Sequence, residues 1–187
     1  MIGEILTYLN SRLPAGIAQE VRPLCSMVQD GDRIYPALYT GKDQLRNLTS
    51  YQWQSGFVFW LTNGDATIEQ LDEVRGGKDR VGITFPLRLY WVGSRNVWLT
   101  DNQYTGMAVA MRLQQAVAVR NIPTLRTQLG LDRIRTNVTN RTFGREVLTE
   151  FLTNVDVKFP YDMEAVRLDV DLEVHGTLEC ITAESCP

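Results

Sequence analysis

The chain has 187 residues, with 19 Lys and Arg against 22 Asp and Glu, and a formal net charge of -3. Hydrophobic residues make up 44% and charged residues 22%, the proportions of a folded globular protein, which exclude a disordered, collagenous or disulfide-stapled chain. The mild acidity argues against a protein that grips nucleic acid by neutralising phosphates, and no run approaches the ~18–20 consecutive apolar residues of a membrane-spanning helix.

A single domain over 1–187 is expected, since one core serves roughly 100–200 residues. Ile2, Ile5, Leu6, Leu9 and Leu13 recur at helical spacing up to Pro14 and Gly16, which predicts an amphipathic helix over 2–13. Glu4 inside that run, with no basic leader before it, reads against a secretory signal, so folding in a reducing cytoplasm is expected. Within 17–39, two apolar segments flank Asp30-Gly31-Asp32, the turn signal of a hairpin. Residues 40–52 read as a polar loop before a strand over 55–61, which Asn63-Gly64 ends. The charged stretch 65–80, with its double glycine Gly76-Gly77, reads as a flexible excursion with room for one helical turn over 68–74.

Val81, Ile83, Phe85, Leu87, Leu89 and Trp91 then alternate with Arg80, Gly82, Thr84, Pro86, Arg88 and Tyr90, the period-two pattern of a strand with one buried face. Pro86 has no backbone donor, which places it at a sheet edge or a bulge. Met107, Ala110, Met111, Leu113, Val117 and Ile122 return to helical spacing and predict a long central helix over 104–121. Pro123 ends it, and a short helix over 124–129 follows, closed by Gly130. Residues 131–141 fit loop or strand equally, and 142–152 reads as a short helix through Phe143, Val147, Leu148 and Phe151. In the last strand Val166, Leu168, Val170, Leu172, Val174 and Leu178 share one face, and Arg167, Asp169, Asp171 and Glu173 share the other. The expected fold class is α+β, a mainly antiparallel sheet with an N-terminal helix and a long central helix packed on one face.

Catalytic signatures are scarce. Three cysteines, Cys25, Cys180 and Cys186, are too scattered for a disulfide framework or a zinc site, and His175 is the only histidine. Gly76-Gly77-Lys78 lacks the spacing of a phosphate loop, and no GxSxG elbow is present. No cofactor or metal site is therefore expected. Asp169, Asp171 and Glu173 stand roughly 6.6–7 Å apart along their strand, too far to share a cation without partners from elsewhere. They form a solvated face or an acidic wall towards a channel or partner.

Arg112, Arg120, Arg126, Arg133, Arg135, Arg141 and Arg145 are the one basic concentration. In an acidic chain they suit a solvated helix face, or inter-subunit ion pairs with Asp169, Asp171 and Glu173, better than phosphate contact. Trp53, Phe57, Phe59 and Trp60, followed by Tyr90, Trp91 and Trp98, occupy both parities of their strands. One sheet face cannot hide them all in a monomer, so Trp53, Phe57, Phe59, Trp60, Trp91 and Trp98 are candidate inter-subunit contacts.

The order of a short N-terminal helix, a hairpin, a polar excursion, a strand ending Tyr90-Trp91-Val92-Gly93, a helix over 104–121 and a last strand through Val166-Arg167-Leu168-Asp169-Val170-Asp171-Leu172-Glu173-Val174 resembles the tail-terminator or tail-completion proteins of long-tailed bacteriophages. More loosely it is similar to the neck and head-to-tail connector proteins of related topology. The resemblance implies a structural virion protein, not an enzyme, that forms a hexameric or dodecameric ring at the head–tail junction after assembly in the host cytoplasm. Its neighbours would be other neck, portal-side or tail-tube proteins, and the genome would pass through the ring without sequence-specific binding. Asp169, Asp171 and Glu173 would then line the lumen, where carboxylates repel phosphate. Two other readings remain open: a monomeric adaptor that binds another protein through the stretch from Trp53 to Trp60, and a small hydrolase in which Asp169, Asp171, Glu173 and His175 converge in one pocket.

Overall fold

The computed structural model describes residues 1–18, 20–41, 44–47, 56–75, 78–94, 106–150, 152 and 163–177, with side chains described except at 38–47 and 72–78. Its elements are α1 (Ile2–Ser11), β1 (Glu20–Asp30), β2 (Arg33–Gly41), β3 (Gln44–Asn47), β4 (Phe57–Thr62), β5 (Thr67–Arg75), β6 (Lys78–Ser94), α2 (Gly106–Val117), α3 (Pro123–Gln128), β7 (Arg133–Gly144), α4 (Val147–Glu150) and β8 (Met163–Thr177). The sheet runs β3-β2-β1-β4-β6-β8-β7, with β5 also beside β6. All described pairs are antiparallel except β1 with β4.

The two strongly alternating segments become the centre of the sheet. β6 and β8 pair from Arg80↔Thr177 to Ser94↔Met163 without a register shift. Because side chains alternate across a strand, this one register puts Ile83, Leu87, Leu89 and Trp91 on the same face as Val166, Leu168, Val170, Leu172 and Val174. The main core forms there, roofed by Ile5, Leu6 and Leu9 of α1, by Val109, Ala110, Leu113, Ala116 and Val117 of α2, and by Ile122. Two indoles on this face tie the N-terminal segment to the sheet. Trp60 Nε1 donates to Asn10 Oδ1 at 2.8 Å, and Trp91 Nε1 donates to the Ile17 carbonyl at 2.6 Å. Each ring thus buries a large apolar surface and satisfies its single polar atom.

Pro86 lies in the middle of β6, where a missing donor ought to leave a gap in the ladder. On one flank β6 pairs with β5 up to Thr84↔Thr67 and with β4 only from Leu87↔Thr62, so Pro86 falls where one neighbour hands over to the other. Its carbonyl accepts from Asn63 N–H at 2.9 Å on that flank, and its missing N–H faces the same way, where no ladder bond is called for.

Several expectations are corrected. The segment 65–80 holds a strand in place of an excursion with a helical turn: β5 pairs with β6 from Thr67↔Thr84 to Arg75↔Lys78, and the double glycine lies outside the described residues. The polar stretch 40–52 contains β3. The central helix spans Gly106–Val117 only, and Met107 and Met111 are half-exposed on its outer side. Its end has a cause in β7. Buried Thr136 takes Val119 N–H on its hydroxyl at 2.8 Å, donates that hydroxyl to the Val117 carbonyl, and sends its own N–H to the Val119 carbonyl at 2.9 Å. That capture unwinds the chain before Pro123, so the long apolar periodicity becomes a helix followed by a covering segment. The strand β7 extends to Gly144, whose φ of 133° ends it, and leaves only the four residues of α4 from the expected helix over 142–152. The N-terminal and central helices share one face as expected, whereas α4 packs on the opposite one. The hairpin turn at Gly31, with φ 59° and Asp30 paired to Arg33, is as the sequence predicts.

Truncating Trp91 removes a fully buried ring and strands the Ile17 carbonyl. Trp91→Ala is expected to lower unfolding free energy by about 3–5 kcal/mol, and Trp91→Phe by about 1–3 kcal/mol, in urea titrations followed by circular dichroism. A loss below ~0.5 kcal/mol for Trp91→Ala would contradict its placement in the core.

Candidate functional site

The face of β6 and β8 opposite the main core carries the polar row singled out by sequence, and it is not a bare acidic wall. Cross-strand register sets Arg88 beside Asp169, Tyr90 beside Arg167, and Arg135 of β7 beside Glu173. Arg88 Nε lies 3.2 Å from Asp169 Oδ1, and Arg167 Nη2 donates to Asp169 Oδ2 at 3.3 Å. Arg135 Nη2 donates to Glu173 Oε1 at 2.6 Å. Arg167 reaches further and donates through Nη1 to Glu150 Oε2 of α4 at 2.6 Å, and Tyr90 Oη donates to the same oxygen at 3.4 Å. Two of the three candidate lumen carboxylates, Asp169 and Glu173, are therefore neutralised inside their own chain. Asp171, between Pro86 and Asn137, has no ion-pair partner among the described residues. Partial burial, then the charges of Glu173 and Asp169, raise its pKa above the usual carboxylate range.

The proposed aromatic contact surface is also corrected. Phe57, Phe59, Trp60 and Trp91 are 0–2% exposed, so they are core residues of one chain and not inter-subunit contacts. Trp53 and Trp98 lie outside the described residues. Both strand parities carry aromatics because the sheet has a core on each face. Phe57, Phe59, Leu61, Tyr90 and Val92 turn away from the main core and close a second one with Cys25, Val147, Leu148, Met163 and Ala165. Phe59 stacks on Tyr90 with centroids 5.2 Å apart, and burial pushes the Tyr90 phenol up to about 12. The two-residue period correctly identified two faces, but not that both would be covered.

The four residues of the hydrolase reading are not brought together. Asp169, Asp171, Glu173 and His175 are strung at alternate positions along β8 and do not converge. Cys25 sits in the second core with its thiol pushed up to about 12 by burial, and six strand positions, roughly 20 Å at ~3.3 Å per residue, separate the level of Asp169 from that of His175 along β8. Among the described residues no group of three His, Cys, Asp or Glu is placed to hold a metal ion, and no helix is long and apolar enough to cross a membrane.

A concave site with polar lining lies at the end of the sheet where β6 and β7 begin and β8 finishes. A cavity of about 630 Å³ is lined there by Arg80 and Leu71 from the β5–β6 hairpin, Arg120, Asn121 and Arg126 from the segment 118–132 that follows α2, and Asp132, Arg133 and His175. Backbone bonds brace it: Asp132 N–H donates to the His175 carbonyl at 2.8 Å, and Leu131 N–H to the Arg126 carbonyl at 2.9 Å. Arg80 Nη2 is 2.9 Å from Asp132 Oδ2, its side chain only 11% exposed. His175 packs across Gly82, where an added Cβ would come within 3.4 Å of the imidazole Cδ2. Desolvation, then Arg133, lowers the His175 pKa, and Arg80 and Arg135 act the same way against the opposing pull of Glu173. The sequence shows three of these arginines within its basic concentration. Arg80 and His175 join them only through the β6–β8 register.

The titratable groups give a pH test. The folded-state pKa of Asp171 lies above its unfolded value, so stability falls as pH rises between the two and the full penalty stands at neutral pH. Asp171→Asn is expected to raise the urea midpoint at neutral pH and to give no gain below about pH 3.9, the unfolded aspartate value. Glu173→Gln, which breaks the pair with Arg135, is expected to lower the midpoint at neutral pH.

No family model and no curated protein matches this chain.

Proposed function

We propose that this protein is a ring-forming structural subunit of a bacteriophage head–tail junction, a tail terminator or related connector through which the genome passes. The reading rests on the resemblance in element order, and one observation about the surface supports it. Besides Ile68 on β5 at 67% and Val21 on β1 at 37%, exposed apolar side chains occur towards the two ends of the strand order. Met27, 41% exposed, lies on the β1–β2–β3 ribbon at one end; Met107, Met111 and Phe143, 52%, 49% and 39% exposed, lie on α2 and β7 at the other. A ring closes through heterologous contacts, which require two different patches on each subunit and not one self-complementary patch.

The ribbon adds to this. β1 pairs with β4 as far as Cys25 and with β2 from Ser26 onward, so β2 and β3 leave the main sheet. Among the described residues their substantial contacts are confined to the ribbon itself. A two- or three-stranded ribbon is marginal by itself and gains stability when a neighbour covers it. Among the described residues no further strand pairs with the outer edge of β3 or of β7, edges of the kind that pair across subunits, although Thr136 of β7 bonds to Val119 there. The portal-side or tail-tube neighbours and the virion location follow from the same reading.

Native mass spectrometry across a concentration series, with negative-stain images, is expected to give a discrete sixfold or twelvefold species with a central hole. Met27→Glu and Met111→Glu, one at each end, are each expected to give monomers with unchanged circular dichroism. Mixed, they retain one intact interface and should form a heterodimer and nothing larger. Two variants that assemble like the unaltered chain, or an unaltered chain that stays monomeric alone and with candidate neck proteins, would overturn the proposal.

A further inference from the structure

We infer that the cavity at the end of the sheet is a binding site for a phosphorylated small molecule, with Arg120, Arg126 and Arg133 as the phosphate-binding residues. This does not depend on the ring reading. Among the described residues, four guanidiniums converge on one concavity against the single carboxylate of Asp132, and that carboxylate is already engaged by Arg80. Arg120 and Arg133 have no ion-pair partner among the described residues. Arg126 donates through Nη1 to the Asp132 carbonyl at 3.4 Å, which holds its stem in place and leaves other guanidinium donors for a ligand.

Holding like charges together is unfavourable, and among the described residues lining the cavity Asp132 is the only carboxylate. A bound dianion relieves that repulsion. Guanidinium forks match phosphate oxygens in pairs, which is why arginine predominates where phosphate is recognised. The volume of about 630 Å³ is far larger than one phosphate and falls among small-ligand sites of roughly 300–1,000 Å³. Leu71 and the imidazole lying over Gly82 form the apolar side of the cavity, suited to the rest of such a ligand. Asn121 adds both a donor and an acceptor.

His175, the only histidine in the chain, reports on this site directly. Its imidazole resonances are to be followed by NMR through a pH titration, with inorganic phosphate, adenosine monophosphate, adenosine, or a short DNA duplex added. Phosphate and the monophosphate are expected to raise the His175 pKa, because an adjacent anion favours imidazolium, and adenosine is expected to have no effect. Arg120→Gln and Arg133→Gln, exposed positions whose loss should not unfold the chain, are each expected to weaken monophosphate binding about tenfold or more, as loss of a charged hydrogen bond implies. In the free protein Arg133→Gln alone should already raise the histidine pKa. No shift with phosphate or monophosphate, or a monophosphate affinity in both variants unchanged from that of the unaltered chain, would overturn the inference. A response to duplex DNA without one to the monophosphate would assign the site to backbone phosphodiesters and overturn the small-molecule assignment.

Discussion

Everything in this fold hangs on the uninterrupted antiparallel pairing of β6 with β8. A shift of one residue would exchange the faces of every side chain in the central pair, moving Leu87, Leu89 and Trp91 away from the helices and Arg88 and Tyr90 into them. The register is held on both sides. One face is packed by α1 and α2, and the other is tied by Arg88–Asp169 and, at one end, by the second core. With a buried face on either side of the same ladder, each core penalises a slip that the other would also refuse.

The polar row shows how a sheet face can carry six charges without presenting a field. Arg88, Arg167 and Arg135 stand against Asp169, Asp171 and Glu173, placed by register so that Asp169 and Glu173 each find a guanidinium across or along the strand. Exposed pairs of this kind contribute little to stability singly. Their larger effect is organisational: Arg167 bridges β8 to Glu150, and so joins the short α4 to the sheet, where four helical residues would not hold by themselves. A channel surface in the proposed ring would then be nearly neutral and smooth to DNA, not strongly repulsive.

The two ends of the sheet divide the chemistry. Around Phe57, Phe59 and Tyr90 the outer face is dry and closed by Val147 and Leu148. At the other end, where Arg80, Arg133 and His175 meet, the same strands open into a cavity with excess positive charge. The crossing segment 118–132 makes this difference. Thr136 pulls it out of the helix and against β7, and Arg120 and Arg126 are thereby carried over the strand ends.

Periodicity alone determined α1, the alternation of β6 and β8, the turn at Gly31 and the short helix that Pro123 opens, because each is a local consequence of side-chain spacing or of Gly and Pro geometry. It could not distinguish β5 from an excursion, since charged and apolar residues there alternate weakly and the strand exists by pairing with β6. Nor could it shorten the central helix, because the residue responsible, Thr136, acts through bonds to Val117 and Val119 across 17 to 19 positions of sequence. The burial of Phe57, Phe59, Trp60 and Trp91, the neutralisation of Asp169 and Glu173, and the meeting of Arg80 with Arg133 and His175 were all tertiary decisions. Strand alternation assigns a residue to a face; only the packing of other elements determines whether that face meets a core, an opposite charge or solvent.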